Sequence, residues 1–361
     1  THYADEQSRK DMDALAADYI DFLNAKTERE TVSRVVEKLR QAGYSEDFTK
    51  DLVFRTWRGK AVFAARKGKK PLSEGVRLIS AHTDAPRLDF KQRPLQEQVG
   101  VGQAKTHYYG GIRKYQWLAR PLALHGVIIK EDGTSIKVVL GEDAGDPVFT
   151  IADLLPHLAQ KEVTKTVADA FDAEKLNVIL GHSPLADAEG GEDDGKDKDA
   201  KDPVRANILA LLNRKYGIRE EDLMSAELQA VPAGPARYVG LDAALIGGYG
   251  QDDRVCVFTA LSALLDAQAP EHANCLIFWD KEEIGSEGVS GMQGEAFEYF
   301  MECLCKAQNV DLRTCLANSF CLSADVCAAF DPGFSEVFER KNAAYLNYGV
   351  GLCKYTGSGG K

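Results

Sequence analysis

The chain has 361 residues, which is room for about two domains at roughly 150 residues each. Its 44% hydrophobic and 27% charged residues are typical of a folded globular protein rather than a disordered or fibrous one. With 55 acidic against 44 basic residues, the net charge of -11 argues against nucleic acid as a partner.

The first two predicted elements are amphipathic helices. In the first helix, apolar side chains recur at helical spacing from Met12 to Leu23. In the second, Thr27 and Glu30 match a capping box and Gly43 is placed to end the helix. A strand GVRLIS follows, and it ends directly before the polar residues of AHTD.

The middle of the chain has a different character. Residues 94–238 are rich in strand and turn signals, including a hairpin in which EDGT joins PLALHGVIIK to SIKVVLG. Within this segment, residues 185–203 are dense in charge and nearly free of large apolar side chains, which predicts a solvated loop. We therefore expect an inserted β-rich domain.

Alternation of strands and helices returns after residue 238, with the strands CLIFWD and FCLSAD separated by a helix. This alternation predicts an α/β fold with a mostly parallel sheet and helices on both faces. The predicted α/β domain therefore comprises residues 1–93 and 239–361, and the β-rich insert of residues 94–238 interrupts it.

Four groups of polar side chains stand at predicted strand ends, where open α/β sheets gather their ligands. They are His82-Thr83-Asp84, Asp252-Asp253, Glu282-Glu283 and Asp325. An imidazole and several carboxylates suit zinc, with manganese or cobalt as alternatives, and a carboxylate that bridges two ions would support hydrolysis. Taken singly, each group could instead be a turn, a helix cap or a solvated acidic pair.

The spacing of these residues suggests separate roles. Asp84 is two residues beyond His82 on an extended segment, so it could accept the second N–H of the imidazole. Asp252 directly precedes a helix and is the candidate bridging ligand. Of the adjacent Glu282 and Glu283, one could bind metal while the other acts as a general base.

The ordered set AHTDAP, Tyr109-Gly110-Gly111 with Trp117, QDDRVC, DKEEIGS and SAD resembles the aspartyl aminopeptidase and aminopeptidase I family of dizinc enzymes. The resemblance covers nearly the whole chain. It implies a zinc-exopeptidase-like fold and the hydrolysis of N-terminal residues from peptides by metal-activated water. It also implies a large homo-oligomer formed through the insert.

The resemblance further implies a role for each matching residue. His82 and Asp325 would each hold one of two ions with Asp252 bridging, and Glu283 would be a further ligand. Glu282 would be the base and Asp84 would orient His82. In IADLLPHLA, His157 has the position of a histidine that reaches a neighbouring active site in the family.

Two departures from the family pattern affect these expectations. Ala328 and Asp331 stand where relatives that prefer acidic N-terminal residues carry histidines, so a general or leucyl-type preference is an equal alternative. The family's last ligand is a histidine near the carboxyl terminus, and KYTGSGGK supplies none, which predicts a truncated chain. A related dimetal amidohydrolase or deacylase, or a non-catalytic assembly subunit, remains an alternative function.

The sequence also gives expectations about location. No apolar run approaches the roughly 20 residues that cross a bilayer, and the first residues lack the apolar core of a signal peptide. We therefore expect a cytoplasmic protein with peptide substrates and no membrane partner.

Overall fold

The computed structural model describes residues 5–185 and 202–355. The predicted charged loop of residues 185–203 thus lies almost entirely outside the described residues. The α-helices are α1 Glu6–Leu23, α2 Glu28–Gln41, α3 Val167–Ala170, α4 Pro203–Tyr216, α5 Gln251–Asp266, α6 Ala296–Ala307 and α7 Leu312–Ala317. No helix in these ranges is both long and apolar enough to cross a membrane.

The strands are β1 Leu52–Trp57, β2 Ala61–Arg66, β3 Val76–His82, β4 Arg87–Gln98, β5 Val101–Tyr109, β6 Leu122–Ile129, β7 Ser135–Leu140, β8 Val178–Gly181, β9 Glu227–Pro232, β10 Arg237–Val239, β11 Leu245–Gly247, β12 Ala273–Trp279 and β13 Phe320–Ser323. They form a five-stranded sheet in the order β1-β2-β12-β3-β13 and a six-stranded sheet in the order β7-β6-β9-β4-β5-β8. Strands β10 and β11 pair only with each other.

The expectation of a mostly parallel sheet is not confirmed. In the five-stranded sheet β3 is parallel to β12 and β13, but β2 is antiparallel to both β1 and β12. The reason is local, because only residues 58–60 separate β1 from β2 and so short a connection can make only an antiparallel hairpin. The six-stranded sheet is antiparallel throughout its described pairings.

Helices cover both faces of the five-stranded sheet, as the sequence predicted. On one face Val35, Leu39 and Phe258 from α2 and α5 pack on Phe54 and Phe278 of the sheet. Successive strand residues alternate between the faces, so Phe63, Ile277 and Trp279 pack instead against Phe300 and Met301 of α6. A third core lies between the six-stranded sheet and the segments around α4.

A buried ionic cluster joins α2 to the six-stranded sheet. His125 of β6 is 2% exposed, and its ring nitrogens lie 3.1 Å from Glu30 Oε2 and 3.0 Å from Glu142 Oε1. Lys26 and Lys137 pair with the same two carboxylates. Glu30 also completes the predicted capping box of α2 with Thr27. The same side chain therefore caps the helix and links it to the six-stranded sheet through His125.

The contribution of His125 to stability should depend on pH. Burial by itself lowers the pKa of this imidazole, but the hydrogen bonds with Glu142 and Glu30 raise the pKa overall. The stabilisation is therefore complete below the unfolded pKa of about 6.5 and is lost as pH rises through the higher folded pKa.

We expect His125→Gln to lower the free energy of unfolding by about 1.5–3 kcal/mol at about pH 6, and by less at about pH 9. Urea unfolding at both pH values measures the difference. His182→Gln, at an exposed residue that contacts the Gly100 carbonyl, is the matched control. An equal loss of unfolding free energy at the two pH values would contradict a stabilising role for the protonated His125 imidazole.

Candidate metal centre

Three neighbouring parallel strands, β12, β3 and β13, deliver polar side chains to one edge of the five-stranded sheet. His82 is the last residue of β3, Glu282 follows β12, and Asp325 follows β13. Asp252 approaches from the start of α5, where its backbone (φ -81°, ψ 109°) is not yet helical. This edge is where ligands of α/β sheets collect, because the loops leaving parallel strands meet there.

The imidazole of His82 is the centre of the cluster. His82 Nε2 lies 3.1 Å from Asp252 Oδ1, 3.8 Å from Glu282 Oε2 and 4.0 Å from Asp325 Oδ1. Each of His82, Asp252 and Asp325 offers one potential ligand atom, and these three atoms lie within 4.8 Å of one another. His82 is buried, whereas the three carboxylates are about half exposed, so the cluster is open to solvent on one side.

Asp84 supports the cluster from the buried side. It is 0% exposed, and its Oδ1 lies 3.3 Å from His82 Nδ1. The backbone carbonyl of Asp84 lies 3.1 Å from the same nitrogen. Both contacts favour a proton on Nδ1, which leaves Nε2 free to bind a metal ion on the side of the carboxylates.

The two adjacent glutamates point differently. Glu282 places Oε2 near the imidazole, whereas Glu283 lies beside Gly110 and is not part of the three-residue ligand cluster. Lys281 has a left-handed backbone (φ 75°), which turns the chain just after Asp280 and before the pair. The backbone N–H groups of Glu282 and Glu283 both donate to Asp84, at 3.2 Å each.

The electrostatics of the cluster favour a cation. Burial disfavours a protonated imidazole, yet the hydrogen bonds with Asp252 and Asp84 raise the pKa of His82 to about 11. Burial, followed by the negative charge of Asp252, raises the pKa of Glu283 to about 7, and burial raises the pKa of Asp253 to about 7. So much negative charge around one imidazole stabilises a proton, and it would stabilise a divalent ion in the same way.

The donor set fits zinc. One imidazole nitrogen and two carboxylate oxygens are the ligands of an open zinc site, which keeps a position for water or substrate. Close by, Asp253 Oδ1 and Asp280 Oδ1 are buried and lack a hydrogen-bond partner among the described protein atoms. Unpaired buried carboxylate oxygens are costly, so their presence also indicates a region built to balance positive charge.

His157 is not part of the cluster. It is exposed and lies outside the helices and strands, and no described hydrogen bond or ion pair links it to His82, Asp84 or Glu282. Three further histidines are engaged elsewhere: His125 in the ionic cluster, His182 with Gly100, and His272 with Arg77.

Sequence reasoning missed the side chain that faces Asp84 from the other sheet. Tyr109, the last residue of β5, donates its hydroxyl to Asp84 Oδ2 at 2.7 Å. The motif Tyr109-Gly110-Gly111 stands out in the sequence, but nothing in its spacing reveals the partner 25 residues earlier. The antiparallel register of β4 and β5, which pairs Arg87 with Tyr109, brings the two together.

Comparison with known proteins identifies the family. The family model described as aminopeptidase I zinc metalloprotease (M18) matches residues 22–359. A probable M18 family aminopeptidase 1 of Clostridium acetobutylicum is 43% identical, with 99% of this chain and 78% of the relative covered. The protein of the same description from Thermotoga maritima is 44% identical, with 98% and 78% covered.

Solved structures agree with the sequence relatives. The crystal structure of the M18 aminopeptidase from Thermotoga maritima has a TM-score of 0.87 at 41% identity, covering 96% of this chain and 76% of that one. Aminopeptidase I from Clostridium acetobutylicum has a TM-score of 0.86 at 39% identity, with 96% and 75% covered. The chain therefore belongs to the M18 family of aminopeptidase I zinc metalloproteases and is a metal-dependent aminopeptidase.

Proposed function

We propose that this aminopeptidase acts through a centre of two zinc ions held by His82, Asp252, Asp325 and Glu283, with Glu282 as the general base. The observation that carries the proposal is the convergence of His82, Asp252 and Asp325 within 4.8 Å, with Glu282 at 3.8 Å from the imidazole. The substrates would be peptides with a free N-terminal amine.

The geometry favours one arrangement of ligands. Because His82 Nε2 and Asp325 Oδ1 are 4.0 Å apart, they can meet on one ion, together with one oxygen of Asp252. Asp252 and Glu283 would then hold the second ion. This arrangement differs from the expectation that His82 and Asp325 each hold a separate ion.

The bound ions would lower the pKa of a water molecule and polarise the scissile carbonyl. Glu282 is half exposed and close to the ligand cluster, so its carboxylate can take the proton of that water and deliver it to the leaving amine. Asp84 keeps His82 in the tautomer that presents Nε2. The open side of the cluster would admit the peptide.

We also propose that residues 94–238 form an inserted domain used for self-association. Exposed apolar side chains in it support this, since exposed apolar patches often mark interfaces. Leu154, Leu155 and Leu158 flank His157 and are all exposed. In a homo-oligomer, His157 would be placed to reach a neighbouring active site.

The replacement Glu282→Gln tests the proposed base. We expect kcat on a peptide with a free amine to fall by about 10²- to 10⁴-fold while the zinc content per chain is unchanged, because the base is lost and the ligands are kept. Glu287→Gln, at an exposed glutamate of the following loop, is the matched control. Loss of zinc, or activity near that of the control, would refute the role.

The replacements His82→Ala and Asp252→Asn test the ligands. We expect the zinc content per chain, measured by atomic emission after dialysis, to fall below about half of the wild-type value in each. His272→Ala alters a histidine at the start of β12, the opposite end of that strand from Glu282, and should keep its zinc. Wild-type zinc content in either ligand variant would contradict the proposed site.

A further inference from the structure

Asp84 holds several parts of the metal centre at once. Its Oδ1 lies 3.3 Å from His82 Nδ1 and accepts the backbone N–H of Glu282 at 3.2 Å. Its Oδ2 accepts the backbone N–H of Glu283 at 3.2 Å and the hydroxyl of Tyr109 at 2.7 Å. A rotation of this one carboxylate would therefore move the imidazole and the chain that carries both glutamates.

The hydroxyl of Tyr109 makes the shortest of these contacts, and it is the one that comes from the six-stranded sheet. The guanidinium of Arg87 lies 3.7 Å from the centre of the Tyr109 ring, and Lys281 Nζ lies 5.3 Å from it. Arg87 is itself buried and paired with Asp89 and Glu28. These cation–π and ionic contacts hold the phenol in place, so its hydroxyl is a fixed donor.

We propose that Tyr109 is a positioning residue whose hydroxyl fixes the orientation of the Asp84 carboxylate, and through it both the His82 imidazole and the Glu282 backbone. The inference rests on the proposed function, because it assigns Tyr109 a part in building that centre. Tyr109 acts through Asp84 and is not a catalytic residue. In this way the six-stranded sheet completes a site built on the five-stranded sheet.

Gly110, the residue after Tyr109, also lies close to the proposed metal centre. Gly110 has a left-handed backbone (φ 73°), and a Cβ at this position would lie 3.1 Å from the Cβ of Glu283. The end of β5 thus lies against Glu283 while Tyr109 supports Asp84. Both contacts come from adjacent residues. They explain why a tyrosine followed by a glycine is suited to this place beside the proposed metal centre.

The replacement Tyr109→Phe removes the hydroxyl and keeps the ring. Zinc affinity of the metal-free protein is measured by competition with a chromogenic chelator, and we expect it to be about 10-fold weaker than wild type. We also expect kcat to fall about 10-fold with KM changed less than about twofold, because the hydroxyl orients groups and does not contact the substrate.

Two control variants separate this effect from a general loss of stability. Tyr108→Phe alters the half-exposed neighbour on the other face of β5. Tyr216→Phe removes a hydroxyl that donates to the Val139 carbonyl, within the six-stranded sheet and α4. Both should bind zinc and turn over substrate as the wild type does.

A double-mutant cycle tests whether Tyr109 acts through Asp84. In an Asp84→Ala background, Tyr109→Phe should have no further effect on zinc affinity. Effects that add, or a Tyr109→Phe single variant that matches Tyr108→Phe in zinc affinity and kcat, would overturn the inference. Either result leaves the proposed function standing if Glu282→Gln still loses turnover and keeps its zinc.

Discussion

Negative charge is concentrated around one buried imidazole, and this concentration governs how the strand ends and their supporting residues are arranged. Asp84, Asp252, Glu282 and Asp325 all lie within about 4 Å of the His82 ring nitrogens. Carboxylates gathered in this way repel one another and resist burial unless positive charge balances them. In the proposed metal centre, divalent cations would supply that charge.

The strand ends and buried hydrogen bonds that hold this cluster are rigid. The carboxyl ends of β12, β3 and β13 lie side by side, so residues almost 250 positions apart in the sequence become neighbours. Behind them Asp84 is completely buried and accepts hydrogen bonds from two backbone amides and a phenol. Groups placed on strand ends and fixed by buried hydrogen bonds keep the geometry that metal binding requires.

Much of the fold and of the candidate site could be predicted from the sequence, because those parts depend on local sequence signals. The capping box at Thr27 and Glu30, the continuous apolar run in CLIFWD, and the polar group after each strand can be read directly. The direction of β1 and β2 could be read only from the shortness of their connection. Contacts across sheets could not be predicted, since the partnership of Tyr109 with Asp84 depends on the register of β5 against β4.

The most direct test of this account is a crystal structure of the zinc-loaded protein with diffraction measured at the zinc absorption edge. We expect an anomalous peak about 2.0–2.2 Å from His82 Nε2 and from oxygens of Asp252 and Asp325. A zinc-loaded crystal in which the strongest peak lies away from these three side chains would contradict it.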